Sequence, residues 1–390
     1  MSGLPKYFKG ELEYFFINTH KLMPGDVILE RGVGVHSDMI VNKTKGRFSH
    51  AMIYVGGTVM EATVQGGVYS RVPNRIYVNN PDHLQVLRLK KSLREDEVIK
   101  ICHYARGLSG SAYSIREALI VGLKNKPEYT LTRGQFCSRL VAQSYACAGV
   151  NLCQNIDYCS PADIERSQLF SIVPGMIHKG AVEEIDFATK GSTHATHHKN
   201  AVKWVRASKK ILLSYDVSVI KDPNGGGDLK ISTIGDIFMA VLQNKENKKL
   251  DHEIASAMIS FGYDLAPFDD EKRNPYRYSF SLFSEVYGRI SSQEIRACIN
   301  NEFERDSGEL GIRVDNFVAS YGNFIADLSM ETFKIEFEIN LNMIKKLKNR
   351  LDILIEFSNL KNISIPLNDE QFERYQFLEP LIREGEKLLE

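Results

Sequence analysis

This 390-residue sequence contains two regions with different patterns of apolar residues, and the order of these regions constrains the fold more than any other feature. Between residues 23 and 89, short runs of β-branched and aromatic residues alternate with glycine, which is typical of antiparallel strands. From residue 234 onward, apolar residues recur at helical spacing over long stretches. Strands are predicted over 26–29, 51–55, 58–62, 67–69 and 84–89, and helices over 95–108, 115–123, 137–148, 234–243, 252–261, 281–303, 333–357 and 368–389.

The chain is longer than one hydrophobic core usually fills, so two domains are expected. A polar stretch with few apolar residues separates the region of predicted strands from the region of long predicted helices. It predicts a linker over 191–202 with a boundary near residue 195. Residues 1–190 then form an α+β domain, with an antiparallel sheet packed by helices. Residues 203–390 form a mainly α-helical accessory domain.

Three histidines lie in the predicted linker. His194 and His198 would share one helical face and could bind a metal, but no carboxylate or cysteine adjoins them or His197. A solvated linker is therefore the preferred interpretation. The six cysteines are too sparse for a disulfide framework and contain no CxxC pair, so a structural zinc site is not expected either.

Charge and hydropathy exclude several classes of protein. The 49 basic residues balance the 49 acidic ones, so no net field attracts nucleic acid or an anionic membrane. No stretch approaches the ~18 apolar residues of a spanning helix, and residues 1–23 lack the pattern of a signal peptide. We therefore expect no nucleic-acid partner, no transmembrane segment, and a protein that is cytoplasmic or exported without a cleaved signal peptide.

A candidate base lies in the predicted hairpin around the Gly-Gly pair at 56–57, a dipeptide suited to a two-residue turn. Such a turn places Tyr54 opposite Val59, and it makes His50 and Glu61 diagonal neighbours on one face, about 7 Å apart at Cβ. A carboxylate against one imidazole nitrogen leaves the other nitrogen free to accept a proton. The alternative is that His50 caps a strand and Glu61 lies at the surface.

A candidate nucleophile lies further along the chain. Gly134 breaks the preceding segment, and Cys137 opens an amphipathic helix whose Leu140 and Val141 face the core. The positive end of a helix and a nearby imidazolium lower the pKa of a thiol from its usual value of about 8.5. Unpaired N–H groups of the first turn could stabilise an oxyanion. The alternative is a buried thiol that packs as a small hydrophobe.

Six segments in this order resemble the permuted papain-like NlpC/P60 families typified by YiiX/YebB-like hydrolases, in which the histidine precedes the cysteine. The resemblance spans roughly residues 23–173. The segments are Pro-Gly-Asp-Val-Ile at 24–28, Phe-Ser-His-Ala-Met-Ile-Tyr-Val-Gly at 48–56, Met-Glu-Ala at 60–62 with Gly-Val at 67–68, Gly-Ser-Ala-Tyr at 110–113, Phe-Cys-Ser-Arg-Leu-Val at 136–141, and Ser-Pro-Ala-Asp-Ile at 160–164.

The resemblance implies a permuted papain-like fold and assigns roles to five residues. Cys137 is expected to be the nucleophile, His50 the base and Glu61 the residue that orients it, while Tyr113 and Ser138 are candidates for the substrate pocket. This sequence departs from the pattern at two other positions. Ser114 stands where an aspartate is common, and Arg139 stands where a glutamate is common after the Cys-Ser pair.

The implied activity is that of a cysteine hydrolase with a Cys-His-Glu triad and a thioester intermediate, without metal or organic cofactor. Its substrate would be a peptide, peptidoglycan-like or acylated molecule cleaved at an amide, isopeptide, ester or thioester bond. An acyltransferase or other lipid-directed enzyme of the same superfamily is one alternative, and a catalytically inactive binding module is another. The helical half carries no chemical motif and could bind a protein partner.

Overall fold

The computed structural model describes residues 13–121, 132–222, 225–288, 290 and 292–390. The chain divides into two compact units. The first contains residues up to His198 together with Ser232–Gly235, and the second contains Lys199–Ile231 and Asp236–Glu390. The α+β class, with antiparallel sheets followed by a helical second half, is confirmed.

The strands of the first unit are short and follow one another closely in the sequence. All of their pairings are antiparallel. In chain order they are β1 (Phe15–Ile17), β2 (Val27–Glu30), β3 (His50–Tyr54), β4 (Val59–Thr63), β5 (Gly67–Arg71), β6 (Tyr77–Val78), β7 (Leu84–Leu89), β8 (Phe170–Ile172) and β9 (Ile177–Lys179).

Two sheets result from these pairings. The larger has the strand order β5-β4-β3-β2-β7-β8, and the smaller has the order β6-β1-β9. The predicted strands at 26–29, 51–55, 58–62, 67–69 and 84–89 correspond to β2, β3, β4, β5 and β7, all within the larger sheet. The histidine-bearing strand β3 lies inside that sheet, between β2 and β4.

The helices of the first unit are α1 (Val35–Thr44), α2 (Glu95–Gly107), α3 (Ile115–Ile120), α4 (Cys137–Ala146), α5 (Pro161–Arg166), α6 (Val182–Thr189) and the start of α7 (Thr193–Ser214). Of these, α2 and α4 contribute side chains to the core on one face of the larger sheet. Helix α4 is buried along its length because small and apolar side chains occupy almost every position. The predicted helices at 95–108, 115–123 and 137–148 correspond to α2, α3 and α4, although residues 122–123 lie outside the described part of the chain.

Strand alternation separates two apolar cores. On β2, Val27 and Leu29 point to the core that includes Leu140 and Val141 of α4, whereas Ile28 points to the core on the opposite side of the sheet. All five side chains are fully buried. Complete burial of such a side chain contributes about 1.5–3 kcal/mol, so these contacts fix α4 firmly against the sheet.

The second unit contains one small hairpin and long helices. Its core is rich in aromatic residues, and ion pairs between Arg277 and Asp306 (2.9 Å) and between Arg350 and Asp306 (3.2 Å) are buried among the helices. The elements are β10 (Val219–Lys221), β11 (Asp228–Lys230), α8 (Ile234–Gln243), α9 (Lys248–Ser260), α10 (Ala266–Arg273), α11 (Phe280–Tyr287), α12 (Ser292–Ala326), α13 (Glu331–Leu360) and α14 (Asp369–Leu389). Within the described residues, no helix combines the length and apolar character needed to cross a membrane.

Two predictions about chain organisation need correction. Most of the predicted linker 191–202 is helical, because it forms the start of α7, and the division between the units falls inside that helix after His198. The predicted helix at 281–303 is interrupted, because α11 ends at Tyr287 with Gly288 as its C-terminal cap and α12 begins at Ser292. Helix α1, which lies between β2 and β3, was not predicted.

Candidate active site

The hairpin that carries the candidate base forms with the predicted register. Gly56 and Gly57 both have positive φ angles (87° and 71°), which a two-residue turn of this type requires. Tyr54 pairs with Val59 as predicted. His50 and Glu61 consequently meet on one face, with 2.8 Å between His50 Nε2 and Glu61 Oε2.

Glu61 is a buried carboxylate and not a surface residue, since its side chain is only 2% exposed. Burial by itself favours the neutral acid, but His50, Arg71 and Tyr69 together lower the pKa of Glu61 to about 2. Arg71 Nη1 lies 3.8 Å from Glu61 Oε1, and Tyr69, which pairs with Glu61 across β4 and β5, adds to the lowering of the pKa of Glu61. Glu61 is therefore negatively charged above pH ~2 and can hold one nitrogen of His50.

Cys137 is the first residue of α4, as predicted. Phe136 precedes it in an extended conformation and provides no side-chain cap, so no side chain of the capping residue takes up the first-turn N–H groups. The Cys137 sulfur lies 4.0 Å from the Ser49 carbonyl oxygen. His50 and the backbone N–H groups of Ala51 and Ser138 lie near enough to the sulfur to lower the pKa of the thiol. Because His50 Nε2 faces Glu61, Nδ1 is the nitrogen left for the thiol.

The electrostatics of this pair favour a thiolate beside an imidazolium. Burial alone would oppose charge on either group, but the hydrogen bond and charge of His50 outweigh it and lower the pKa of Cys137. Burial likewise opposes the imidazolium, and the contacts with Cys137 and Glu61 outweigh it and raise the pKa of His50 well above its usual value. The two shifts support each other, because each charge stabilises the opposite one.

A pocket lies beside the start of α4, and Cys137 is one of its lining residues although it is only 4% exposed. The lining is mainly apolar, and Lys43 is the one charged residue among the described residues that form it. These residues are Met39, Ile40, Lys43 and Thr44 from α1, Ala118 from α3, Val121 directly after α3, Cys137 and Ser138 from α4, Pro161 from α5, and Ser49, Tyr113 and Phe136 from the connecting segments.

Both residues proposed for the pocket lie in its wall. Burial, followed by the nearby charge of Cys137, raises the pKa of Tyr113, so its hydroxyl stays protonated. Ser138 presents its backbone N–H to the sulfur, but its hydroxyl donates to the Cys159 carbonyl at 2.7 Å and is not directed at Cys137. Ser138 thus contributes to the site through its backbone.

Side chains that the sequence did not indicate form a layer behind Glu61. The His198 ring of α7 stacks on Tyr69, with 3.8 Å between ring centroids and an interplanar angle of 18°. His194 Nε2 lies 2.8 Å from both Oγ and the backbone carbonyl of Ser70. Burial, and then the proximity of His194, lower the pKa of His198 to about 4, so His198 is neutral at pH 7.

The histidines of α7 thus serve as packing and hydrogen-bonding groups. Among the residues that the structure describes, no group of three or more His, Cys, Asp or Glu side chains is arranged to hold a metal ion. One feature of the sequence is consistent with the packing of α7 on β5, namely the spacing of His194 and His198. Histidines four residues apart share a helical face, and such a face can cover an aromatic residue as well as bind a metal.

A comparison with models of known protein families finds no match for this chain, and a comparison with curated protein sequences finds none either. Chemical interpretation of the site therefore depends on its residues and geometry. A buried carboxylate is hydrogen-bonded to an imidazole, and a cysteine at a helix start interacts electrostatically with that imidazole beside a pocket. Such an arrangement can generate a nucleophile, transfer its proton and stabilise negative charge on an attacked oxygen.

Proposed function

We propose that this chain is a cysteine hydrolase with a permuted papain-like, NlpC/P60-type first domain. The observation that carries the proposal is the hydrogen bond between Glu61 and His50, together with the interaction of His50 with Cys137, which lines a pocket. The order along the chain supports the permuted arrangement, since the histidine strand β3 precedes the cysteine helix α4.

The reaction would proceed by acyl transfer to the thiol and then to water. The Cys137 thiolate attacks a carbonyl carbon of an amide, ester or thioester, and N–H groups of the first turn of α4 face the resulting oxyanion. The carbonyl reforms as the bond to the leaving group breaks, and the leaving group takes its proton from His50. A water molecule then loses a proton to His50 and attacks the thioester, which releases the acid and the Cys137 thiolate.

The pocket lining favours an apolar group on the acyl side of the scissile bond. Met39, Ile40, Val121 and Phe136 offer no hydrogen-bonding side chains to a polar substrate, whereas burial of apolar surface stabilises binding by roughly 25 cal/mol per Å². Among the expected substrates, this lining favours acylated molecules and peptides with apolar side chains over a polar peptidoglycan-like chain. An amine in place of water would make the same site an acyltransferase.

Alkylation of the full-length protein with iodoacetamide tests the nucleophile. At pH 6 an ordinary thiol is mostly protonated, and a thiol of lowered pKa contains more thiolate but is a somewhat weaker nucleophile. We expect Cys137 to react about tenfold faster than the exposed Cys147, with peptide mass spectrometry as the readout. Fast labelling should disappear in Cys137→Ala, slow in His50→Ala and persist in the matched control Cys147→Ala.

A second measurement separates an enzyme from a binding module. The protein is incubated with acyl thioesters, 4-nitrophenyl esters and peptide amides that carry apolar or polar acyl groups, and adducts are detected by intact mass. A hydrolase forms a thioester on Cys137 that decays as free acid appears, and Cys137→Ala forms none. Ordinary thiol reactivity together with no turnover of any probe would favour the binding module and overturn the proposal.

A further inference from the structure

A fully buried ion pair lies directly behind the pocket. Arg139 Nη1 and Glu117 Oε2 are 2.7 Å apart, and both side chains are only 1% exposed. Removing two charges from water is costly, and such a pair persists only when its geometry and further hydrogen bonds compensate for the lost hydration. The contacts of this pair therefore indicate which segments it holds together.

The arginine end joins α4 to two neighbouring segments. Arg139 Nη1 also donates to the Gly134 carbonyl at 2.8 Å, and Nε donates to the Asp157 carbonyl at 2.7 Å. The guanidinium carbon lies 4.6 Å from the Phe136 ring centroid and 5.6 Å from that of Tyr158. The buried guanidinium of Arg139 thus fixes the segment that directly precedes Cys137 in the sequence.

The glutamate end joins α3 to the same region. Thr132 donates to Glu117 through both its backbone N–H and its hydroxyl, each at 2.8 Å. Burial favours the neutral acid, but Ser114, Thr132 and Arg139 together lower the pKa of Glu117 to about 2. Glu117 is therefore charged at pH 7, and its charge faces that of Arg139.

The pair connects the two walls of the pocket. Ala118 follows Glu117 in α3, and Val121 directly follows that helix; both line the pocket. Arg139 lies two residues after Cys137, and Phe136, which packs against its guanidinium, also lines the pocket. Val121, Phe136 and Tyr158 form a small apolar core of their own, with Tyr113 and Ala118 packed against it.

We propose that Arg139 and Glu117 are positioning residues that hold the α3 wall against the start of α4 and so determine how well the pocket accepts an apolar group beside Cys137. Neither residue touches the reacting atoms. The inference deepens the proposed function and rests on it for the meaning of the pocket, but it uses the Cys137 thiol only as a reporter. Arg139 is also a position at which the sequence departs from the family pattern.

The test compares two alkylating reagents on the full-length protein. Iodoacetamide reports the reactivity of Cys137 itself, and N-octyl iodoacetamide adds an apolar chain that needs the pocket. At Cys137, the rate constant with N-octyl iodoacetamide is divided by that with iodoacetamide, and this ratio is divided by the same ratio measured for glutathione. The resulting normalised ratio measures how well the pocket accepts the octyl group. We expect a value of about 10 for the wild type, because burial of as few as two methylene groups gives a change of that size.

Two variants should lose this preference. Glu117→Gln removes the negative charge but keeps an oxygen for the Thr132 N–H, and Arg139→Met removes the positive charge but keeps an unbranched chain. We expect the normalised ratio to fall to about 1–2 while the rate constant with iodoacetamide changes less than about threefold. Arg88→Met is the matched control, since Arg88 pairs with the buried Asp26 (2.6 Å) but does not line the pocket.

An unchanged ratio in folded Glu117→Gln and Arg139→Met would overturn the inference, and so would an equal loss in Arg88→Met. If both variants unfold, the inference is tested with Arg139→Lys and Thr132→Val. Each of these keeps the charge pair and removes only some of its hydrogen bonds. We expect a two- to threefold lower ratio in these, and no change in either would overturn the inference. If Cys137 of the wild type reacts with iodoacetamide only as fast as an ordinary thiol, that result counts against the proposed hydrolase function. The normalised ratio would still show whether Arg139 and Glu117 position the α3 wall of the pocket.

Discussion

Replacing Glu61 with glutamine should make the Cys137 thiolate harder to form. The pKa of Glu61 falls from 4.5 to about 2 in the folded protein, a difference of about 2.5 that corresponds to roughly 3 kcal/mol of net stabilisation of the carboxylate. His50 is the strongest favourable contributor, ahead of Arg71 and Tyr69. Because a pairwise charge interaction stabilises both partners equally, Glu61→Gln should remove about half of that free energy or more from the imidazolium.

The assay is the rate constant of Cys137 with iodoacetamide as a function of pH. In the wild type, the rate falls only when the pH drops through the lowered pKa of the thiol. Without the carboxylate, the His50 imidazolium is weaker and stabilises the thiolate less. The acid limb of the profile should therefore move up by about 1–2 pH units, so that rate constants measured on that limb should fall about 10- to 100-fold.

The chain offers a matched control for this change. Glu30 pairs with His50 across the neighbouring strands and lies 4.0 Å from Arg71, yet it forms no hydrogen bond with His50. Glu30→Gln should move the acid limb by less than about 0.3 pH units, as expected for a screened, partly exposed charge. A profile for Glu61→Gln that coincides with the wild type, or an equal displacement in Glu30→Gln, would refute the orienting role of Glu61.

Two further predictions concern residues around the hairpin. Gly67 and Gly57 have nearly the same positive φ (70° and 71°), but a Cβ at Gly67 would lie 2.1 Å from the Ser111 carbonyl oxygen, whereas a Cβ at Gly57 meets nothing within 4 Å. Gly57→Ala should therefore cost about 1 kcal/mol from backbone strain alone and Gly67→Ala about 3 kcal/mol or more, and equal decreases in Tm would contradict this. Tyr69→Phe removes a hydroxyl that helps to lower the pKa of Glu61, but Glu61 stays ionised over the acid limb of Cys137 alkylation, so that limb should move by less than about 0.5 pH units, and a displacement as large as that of Glu61→Gln would contradict this.

Local sequence was sufficient for the parts of the site that depend on neighbouring residues. The glycines at 56–57 fix the hairpin register, because a two-residue turn leaves one way to pair the flanking strands. The start of α4 at Cys137 follows from the helical spacing of the residues after it, and the structure places it there. The predictions that His50 meets Glu61 and that Cys137 opens a helix both have this local origin.

Other features depended on contacts between segments that are distant in the sequence. The polar stretch at 191–202 contains too few apolar residues to indicate a packed helix, but stacking of His198 on Tyr69 and the hydrogen bonds of His194 to Ser70 order its start. The charges of Arg139 and Glu117 would each suggest an exposed position, yet both are buried because they pair with each other.

The sequence by itself thus determined the antiparallel hairpin, the helix that begins at the cysteine, and the alternation that gives the sheet two apolar faces. Only the tertiary structure decided that Cys137 lies near His50 and that Cys137 lines a mainly apolar pocket. Turns and helices depend on residues that lie close together in the sequence, so a short stretch is enough to predict them. Burial, pairing of charges and the shape of a cavity are properties of surfaces that come together only when the chain has folded.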